Sequence, residues 1–311
     1  HGKTQHPEIP AVVVDTTLKR LHTAFANFFR GIKSGRKIGF PRFKDARRWT
    51  SIQFRDAVST GIDGNRFKAG KLCGGKIRFV KHREMEGTLK SCRIVRRPSG
   101  WYLQCICDNL PSKKLAKSDK AVGLDMGVKS LVADSDGNIT ENPKFLNKSL
   151  KKLRIAQRTI ARRKKGSRRR KKACRIAARI HERISNQRRD FLHKLSREYV
   201  NEYGLIVVED LNISGMVRNH CLARSIQDAS WNMLDGMIAY KAEEAGRQFV
   251  KVNPAYTSQK CSKCGEMVMK SLSVRTHTCP HCGYTDDRDV NAAKNILRLG
   301  QSLQELSYAT A

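Results

Sequence analysis

Acidic residues are scarce in this chain. Only 28 Asp and Glu stand against 62 Lys and Arg in 311 residues, leaving a formal net charge of +34. A chain so poor in counter-charge repels itself unless a polyanion neutralises it, and the obvious polyanion is nucleic acid, bound through phosphates in a salt-dependent way. Long apolar runs are also lacking. No stretch of eighteen apolar residues occurs, which excludes a membrane-spanning helix. No amphipathic anchor or lipidation motif accompanies the charge, so no membrane partner is expected. The start carries no secretory signal, and a cytoplasmic protein is expected. The first residue is His1 rather than Met, and the numbering is expected to begin inside a longer reading frame or after processing. Apolar residues make up 39% of the chain, enough for a buried core, so wholesale disorder is not expected.

Six of the ten cysteines, Cys73, Cys92, Cys105, Cys107, Cys174 and Cys221, are scattered. The other four form Cys261-x-x-Cys264, fourteen intervening residues, then Cys279-x-x-Cys282. Each pair is followed by a glycine, Gly265 or Gly283, that permits a tight knuckle presenting two thiolates. Four thiolates close a tetrahedral shell, so one structural Zn²⁺ is expected, with His277 and His281 as bystanders. A ribbon this small depends on its metal to fold.

Along the chain, residues 15–30 read as an amphipathic helix carrying Leu18, Leu21, Phe25, Phe28 and Phe29, broken by Gly31, Gly35 and Pro41. Residues 36–49 interleave cations with Phe40, Phe43 and Trp49. That pattern suits either phosphate contact with base stacking or a solvated loop with anchoring aromatics. Short strands at 51–55, 76–80, 91–96 and 101–107, separated by turns rich in glycine, aspartate and asparagine, predict a small antiparallel barrel or sheet. After a basic linker at 111–120, strands are expected at 121–125, 128–133, near Ile139, at 205–208 and at 248–252. Helices are expected over 145–203, 225–245 and 289–299. This order predicts one mixed α/β sheet flanked by helices, with its first and fourth strands parallel neighbours.

Three acids sit at the ends of these elements: Asp125, Glu209 and Asp289. If the first and fourth strands are neighbours, Asp125 and Glu209 emerge together, and the last helix brings Asp289 to them. Oxygen ligands without His or Cys select Mg²⁺ or Mn²⁺, and two such ions can activate water and stabilise the leaving oxygen of a phosphodiester. The plainer readings stand beside this. Each acid alone can be a solvated turn residue, Asp289 can cap the last helix, and Gly127 can serve only a tight turn. Asp287, two residues before Asp289, leaves the third position ambiguous.

Residues 151–189 hold eighteen Lys or Arg and one acid, Glu182. The densest part is Arg162, Arg163, Lys164, Lys165, Arg168, Arg169, Arg170, Lys171 and Lys172, read as two helices joined near Gly166-Ser167. Like charges at i, i+4 destabilise a helix, so nucleic-acid contact is the expected relief.

These residues carry a resemblance. Gly123-Leu124-Asp125-Met126-Gly127, Val207-Val208-Glu209-Asp210-Leu211-Asn212, Thr257-Ser258-Gln259-Lys260-Cys261-Ser262-Lys263-Cys264-Gly265 and Asp287-Arg288-Asp289-Val290-Asn291-Ala292-Ala293-Lys294-Asn295-Ile296 resemble, in order and spacing over about residues 15–300, the transposon-encoded TnpB (OrfB) nucleases, compact relatives of type V CRISPR effectors. The resemblance implies a ribonuclease H-like (RuvC) nuclease domain with an inserted zinc ribbon, preceded by a wedge-type β-barrel with a helical recognition insertion. It implies a wedge and recognition region over 1–119, whose N-terminal part is expected to lie ahead of this sequence. The nuclease domain follows over 120–255, then the zinc ribbon over 256–284, the last nuclease motif over 285–300 and a tail over 301–311. Asp125, Glu209 and Asp289 match the family's three catalytic acids. The implied activity is guide-RNA-directed cleavage of complementary DNA beside a short adjacent motif, with the guide drawn from the transposon end. The alternative is a nuclease-inactive, guide-dependent DNA-binding repressor.

Overall fold

The computed structural model describes residues 9–45, 48–55, 61–111, 114–271 and 273–309. Arg47 of the basic aromatic stretch, two linker positions (112 and 113) and the last two tail residues lie outside them, as does the side chain of Cys73. The chain divides into two units, His1–Pro111 and Ser112–Ala311.

In the first unit, helix α1 (Ala11–Lys33) starts directly after Pro10 and runs through Gly31. The glycine does not break it. A Cβ at Gly31 would lie 2.0 Å from Ile38 Cδ1, so the missing side chain makes room for the returning loop. Of the expected apolar face, Phe25 and Phe28 pack edge-on against Phe40, at centroid distances of 5.5 and 5.2 Å. Leu18 and Leu21 are exposed. Phe40 and Ile38 are thus anchors, as is Trp49, whose Nε1 donates to Lys44 O at 2.9 Å, whereas Phe43 is almost fully exposed. The strands are β1 (Ser51–Phe54), β2 (Ile62–Asp63), β3 (Arg66–Lys68), β4 (Lys76–Arg78), β5 (Thr88–Arg96) and β6 (Trp101–Asp108). They form two antiparallel three-stranded sheets, β1-β5-β6 and β2-β3-β4. No strand pairing joins the two sheets into one barrel among the described residues. They share one apolar core, in which Phe54 meets Phe67 edge-on at 5.1 Å and Val12 and Val13 of α1 join.

The second unit holds β7 (Ala121–Met126), β8 (Ser130–Asp134), β9 (Ile139–Glu141), α2 (Phe145–Ala161), α3 (Arg168–Glu202) and β10 (Leu205–Glu209). It continues with α4 (Ile213–Met216), α5 (His220–Ala229), α6 (Trp231–Ala245), β11 (Gln248–Val252), β12 (Thr276–Thr278), β13 (Thr285–Asp287) and α7 (Arg288–Ala309). The sheet order is β11-β10-β7-β8-β9, and β10 runs parallel to both β7 and β11. The first and fourth strands of this unit are therefore parallel neighbours, as the element order requires.

Residue alternation gives the sheet two cores. Val122, Leu124, Met126, Ile206 and Val208 face α3 and α6 with Trp231, Leu234 and Ile238. Leu205, Val207 and Val252 face the opposite side, with Ile296 of α7. Two elements differ from the periodicity. The helix expected over 225–245 splits at Ser230, whose φ of 57° turns the chain before Trp231. The last helix continues to Ala309, through what the sequence reads as a tail. At Gly300 this helix lies close on the sheet, where a Cβ would meet Val207 Cγ2 at 2.4 Å.

α2 and α3 are the expected basic pair. They meet at Gly166 (φ 87°) and Ser167, whose Oγ accepts the Arg170 amide at 3.2 Å as an N-cap. Leu153, Ile184 and Leu192 are buried, whereas Ile155 and Ile176 are exposed among the cations. The start of α2 has no cap of its own. Buried Asp228 supplies one, accepting the Leu146 amide at 3.1 Å and Arg188 Nη2 at 2.6 Å.

The approach of α7 to β7 depends on Gly123. A Cβ there would lie 2.2 Å from Ala293 O and 2.6 Å from Leu297 N. Both contacts are backbone, so the helix must shift as a whole. Gly123→Ala is expected to destabilise the chain by about 1–3 kcal/mol, the usual range for overpacking. Urea denaturation would show this as a lower midpoint at unchanged slope.

Candidate active site and four-cysteine centre

Gly123 and Asp125 lie on the same face of β7, because side chains alternate. Val207 and Glu209 of β10 share that face, with Val207 paired to Gly123 and Val208 to Leu124. The helix α7 covers it. From Ala293, over Gly123, four residues back along α7 is about 6 Å, and two residues along β7 from Gly123 to Asp125 is about 6.6 Å. The close approach at Gly123 thereby delivers Asp289 to Asp125. Burial, reinforced by the charges of Glu209 and Asp289, holds the Asp125 carboxyl well above the ordinary carboxylate range, against a smaller opposing effect of Arg288. Burial likewise raises Glu209, opposed by Thr257, whose Oγ1 donates to Glu209 Oε1 at 2.5 Å.

Asp287 and Asp289 have separate jobs. Asp287 Oδ1 accepts the amide of Asp289 at 2.8 Å and that of Val290 at 3.4 Å, so Asp287 caps α7. The Asp289 carboxylate is left free of capping and faces Arg275 Nη1 at 3.4 Å. Asp210 points away, toward Lys251 at 3.7 Å. At Gly127 a Cβ would lie 2.8 Å from Ser130 O, so this glycine serves the turn between β7 and β8.

Three carboxylates from three elements, with no His or Cys among them, form a hard donor set that fits a divalent cation such as Mg²⁺. Their mutual repulsion, seen in the raised Asp125, is what such a cation relieves. They do not close on one point. Among the described residues, the one set of three or more ligand atoms within 4.8 Å of one another is that of the four cysteines.

The repulsion has a measurable consequence. A carboxyl raised on folding binds more protons folded than unfolded, so stability falls as pH rises above its unfolded value. In magnesium-free buffer, Asp125→Asn is expected to raise the urea midpoint at about pH 7, and the gain is expected to shrink toward about pH 4. A midpoint at neutral pH equal to or below the parent's would contradict the crowding of charge at Asp125.

The cysteine centre is built from two knuckles. Gly265 N bonds Cys261 O at 2.9 Å and Gly283 N bonds Cys279 O at 3.0 Å, with φ of 84° and 69° at the two glycines. Sγ of Cys261 lies 3.7 Å from that of Cys282, and Cys264 lies 3.6 Å from Cys279. A tetrahedron of sulfurs around zinc at about 2.3 Å has edges of about 3.8 Å, so the four thiols fit a structural zinc ribbon. At Cys279 burial opposes ionisation, but hydrogen bonds from the Cys282 and His281 amides and from neighbouring thiols outweigh it and lower the thiol to about 6. His277 is fully buried beside Lys270, outside the sulfur set.

The ribbon is rooted in α7 by Asn291 and Asn295, to which the sequence motif assigns no role, and by Arg298, which lies outside it. Asn291 Nδ2 donates to Lys260 O at 2.8 Å, and its Oδ1 accepts the Ser262 amide at 2.9 Å. Asn295 Nδ2 donates to Thr257 O and Lys260 O at 2.9 and 2.7 Å, and Arg298 reaches Ser262 O. Positions 291, 295 and 298 share one helix face. The shared face of these three polar side chains is the signal by which they could have been found. Of the basic positions, all but Arg170 are exposed.

The OrfB_IS605 family model, described as "Probable transposase", matches residues 104–220, and a Cas12f1-like TNB domain model matches residues 231–296. A protein of Streptomyces pristinaespiralis named "Putative RNA-guided DNA endonuclease" is 37% identical over 297 residues, covering 94% of this chain and 72% of the relative. InsQ of Escherichia coli (strain K12), which bears the same description, is 33% identical over 310 residues, covering 94% and 75%. Among solved structures, a Cas12f1–sgRNA–target DNA complex aligns with a TM-score of 0.49 at 19% identity, covering 67% of this chain and 45% of that one. Identity at this level along nearly all of the sequence decides the matter: the chain belongs to the TnpB (OrfB) family.

Proposed function

We propose that this chain is an RNA-guided DNA endonuclease of a transposable element. It cleaves DNA complementary to a guide RNA from the transposon end, beside a short adjacent motif. The observation that carries this reading is the placement of Asp125, Glu209 and Asp289, from two parallel strands and the last helix, near enough that the charges of the other two act on Asp125. The descriptions of the relatives support the same activity. In this reading residues 120–255 and 285–300 form a RuvC-like nuclease domain with the ribbon of 256–284 inserted. Residues 1–119 correspond to a wedge barrel with a recognition helix, which their two sheets over one core support. A cytoplasmic, nucleoid-associated site of action follows from the substrate, and no helix among the described residues is long and apolar enough to cross a membrane.

Each residue then has a role. Asp125, Glu209 and Asp289 hold Mg²⁺ or Mn²⁺, which when bound supplies activation of water and charge stabilisation at the scissile phosphate. Thr257 fixes the rotamer of Glu209 through its short hydrogen bond. Asp287 sets the first turn of α7 and so the height of Asp289. Arg275 is the cation beside Asp289, placed to meet a phosphate oxygen. Arg162, Arg163, Lys164, Lys165, Arg168, Arg169, Arg170, Lys171 and Lys172 neutralise backbone phosphates, with sequence choice left to base pairing. The ribbon's zinc is structural.

The test is direct. Purified chain with its copurifying RNA, Mg²⁺ and a matched duplex carrying a randomised flank is expected to yield cut product from a subset of flanks. RNA-dependent retention of the duplex with no cut product across all flanks would replace the endonuclease by a guided repressor.

A further inference from the structure

The β5–β6 hairpin ends in Arg96-Arg97-Pro98-Ser99-Gly100-Trp101-Tyr102. Arg97 and Gly100 bond each other in both directions, N to O at 2.8 Å and 3.2 Å, so the loop proper is only Pro98-Ser99. Proline and a two-residue loop make this a stiff tip. Arg96 pairs with Trp101 and Val95 with Tyr102 across the strands. Side chains alternate, so the two aromatics stand on opposite faces of the ribbon. Each has a guanidinium over its ring. The Arg96 Cζ lies 6.0 Å from the Trp101 centroid, and the Arg97 Cζ lies 5.4 Å from that of Tyr102. The Tyr102 hydroxyl is tied to Ser99 Oγ at 2.8 Å. With these partners in place Trp101 is still 64% exposed and Tyr102 44%. Behind the tip, Ile94 and Leu103 pass into the unit's core.

A rigid ribbon that displays one arginine-backed aromatic ring on each face, with open ring surface left over, has the chemistry of a nucleobase stack. The ring takes the base, and the guanidinium takes the adjoining phosphate or extends the stack. A duplex hides its bases from such a ring. An RNA-guided protein meets unpaired bases in a displaced DNA strand and in the loops and ends of its folded RNA, and the latter are commonly read by stacking on aromatic and arginine planes.

We propose that this tip, through Trp101 and Tyr102 with Arg96 and Arg97, is a stacking platform for unpaired bases of the guide RNA. The proposal rests on the RNA-guided reading above, and it adds a contact that the nuclease site and the basic helices do not provide.

The test is binding of the end-labelled RNA that copurifies with the chain, measured over a salt series. Trp101→Leu keeps an apolar side chain of moderate size on an exposed position and removes the stack. It is expected to weaken binding about tenfold with an unchanged salt slope. Trp101→Phe is expected to restore binding to within about threefold, because the π face returns. Arg96→Gln is expected to weaken binding with a salt slope reduced by about one. Wild-type affinity for Trp101→Leu, or equal loss in Trp101→Leu and Trp101→Phe, would overturn the platform while leaving the RNA-guided reading intact. So would a loss seen on single-stranded DNA of the same sequence but not on the RNA. Failure of the parent chain to bind RNA at all would overturn both.

Discussion

Asp125→Ala is expected to abolish DNA cleavage, by at least about a thousandfold, while leaving RNA binding at the parental affinity. The size follows from what the residue holds. A divalent cation at a phosphodiester contributes several kcal/mol to the transition state, and each 1.36 kcal/mol is a factor of ten in rate. The charges of Glu209 and Asp289 both act on Asp125, so in the proposed metal site its loss removes the ligand that neighbours both other acids. The usual alternative explanation, that the variant fails to fold, runs against the electrostatics. Asp125 is held above the ordinary carboxylate range by burial and by Glu209 and Asp289, so removing its charge relieves repulsion. An inactive variant at least as stable as its parent separates catalysis from folding in one experiment. Full cleavage by Asp125→Ala, with guide and target matched, would remove Asp125 from the metal site.

Cys261→Ser is expected to drop bound zinc from one equivalent to a small fraction and to abolish cleavage along with it. A four-cysteine site contributes on the order of 10–16 kcal/mol when filled at neutral pH, far above the stability available to two three-residue strands. The loss propagates because the ribbon is continuous with the candidate site. Thr257, at its root, donates to Glu209, and Asn291 and Asn295 of α7 grip Lys260 and Ser262. Metal analysis of the purified variant checks the first half of the expectation, and the cleavage assay checks the second. Unchanged zinc stoichiometry would refute the four-cysteine site. Zinc loss with full cleavage would leave the ribbon as an independent appendage.

Features with a strong local signature were legible in the sequence. The two knuckles declare themselves by spacing and glycine. Asp125 and Glu209 are marked by the apolar strands that end on them. Parallel pairing of β7 with β10 follows from the order of elements. Other features depend on distant partners and leave no local trace. Gly31 reads as a breaker until Ile38 folds back over it. Ser230 takes a left-handed turn with no glycine or proline to announce it. β2 and β3 are too short to show periodicity. Leu18 and Leu21 have the spacing of a core face yet stay exposed. At the site itself, Asp287 and Asp289 carry the same side chain two residues apart, and hydrogen bonding alone separates the cap from the candidate ligand. Thr257 is part of a recognisable motif, but its bond to an acid 48 positions earlier is a fact of the fold.

The parallel β7–β10 pair under α7 also sets an order of events during synthesis. The strand carrying Asp125 leaves the ribosome 84 residues before Glu209 and 164 residues before Asp289. At about 5–20 residues per second, about 8–33 s separate the first acid from the last. Until α7 is made, Gly123 and Val207 present an uncovered sheet face and the third carboxylate is missing. The three-acid cluster is therefore incomplete in every shorter nascent chain, whereas the hairpin tip in the first unit is complete by residue 102. A chain built in this order carries its hairpin tip well before it carries its third acid.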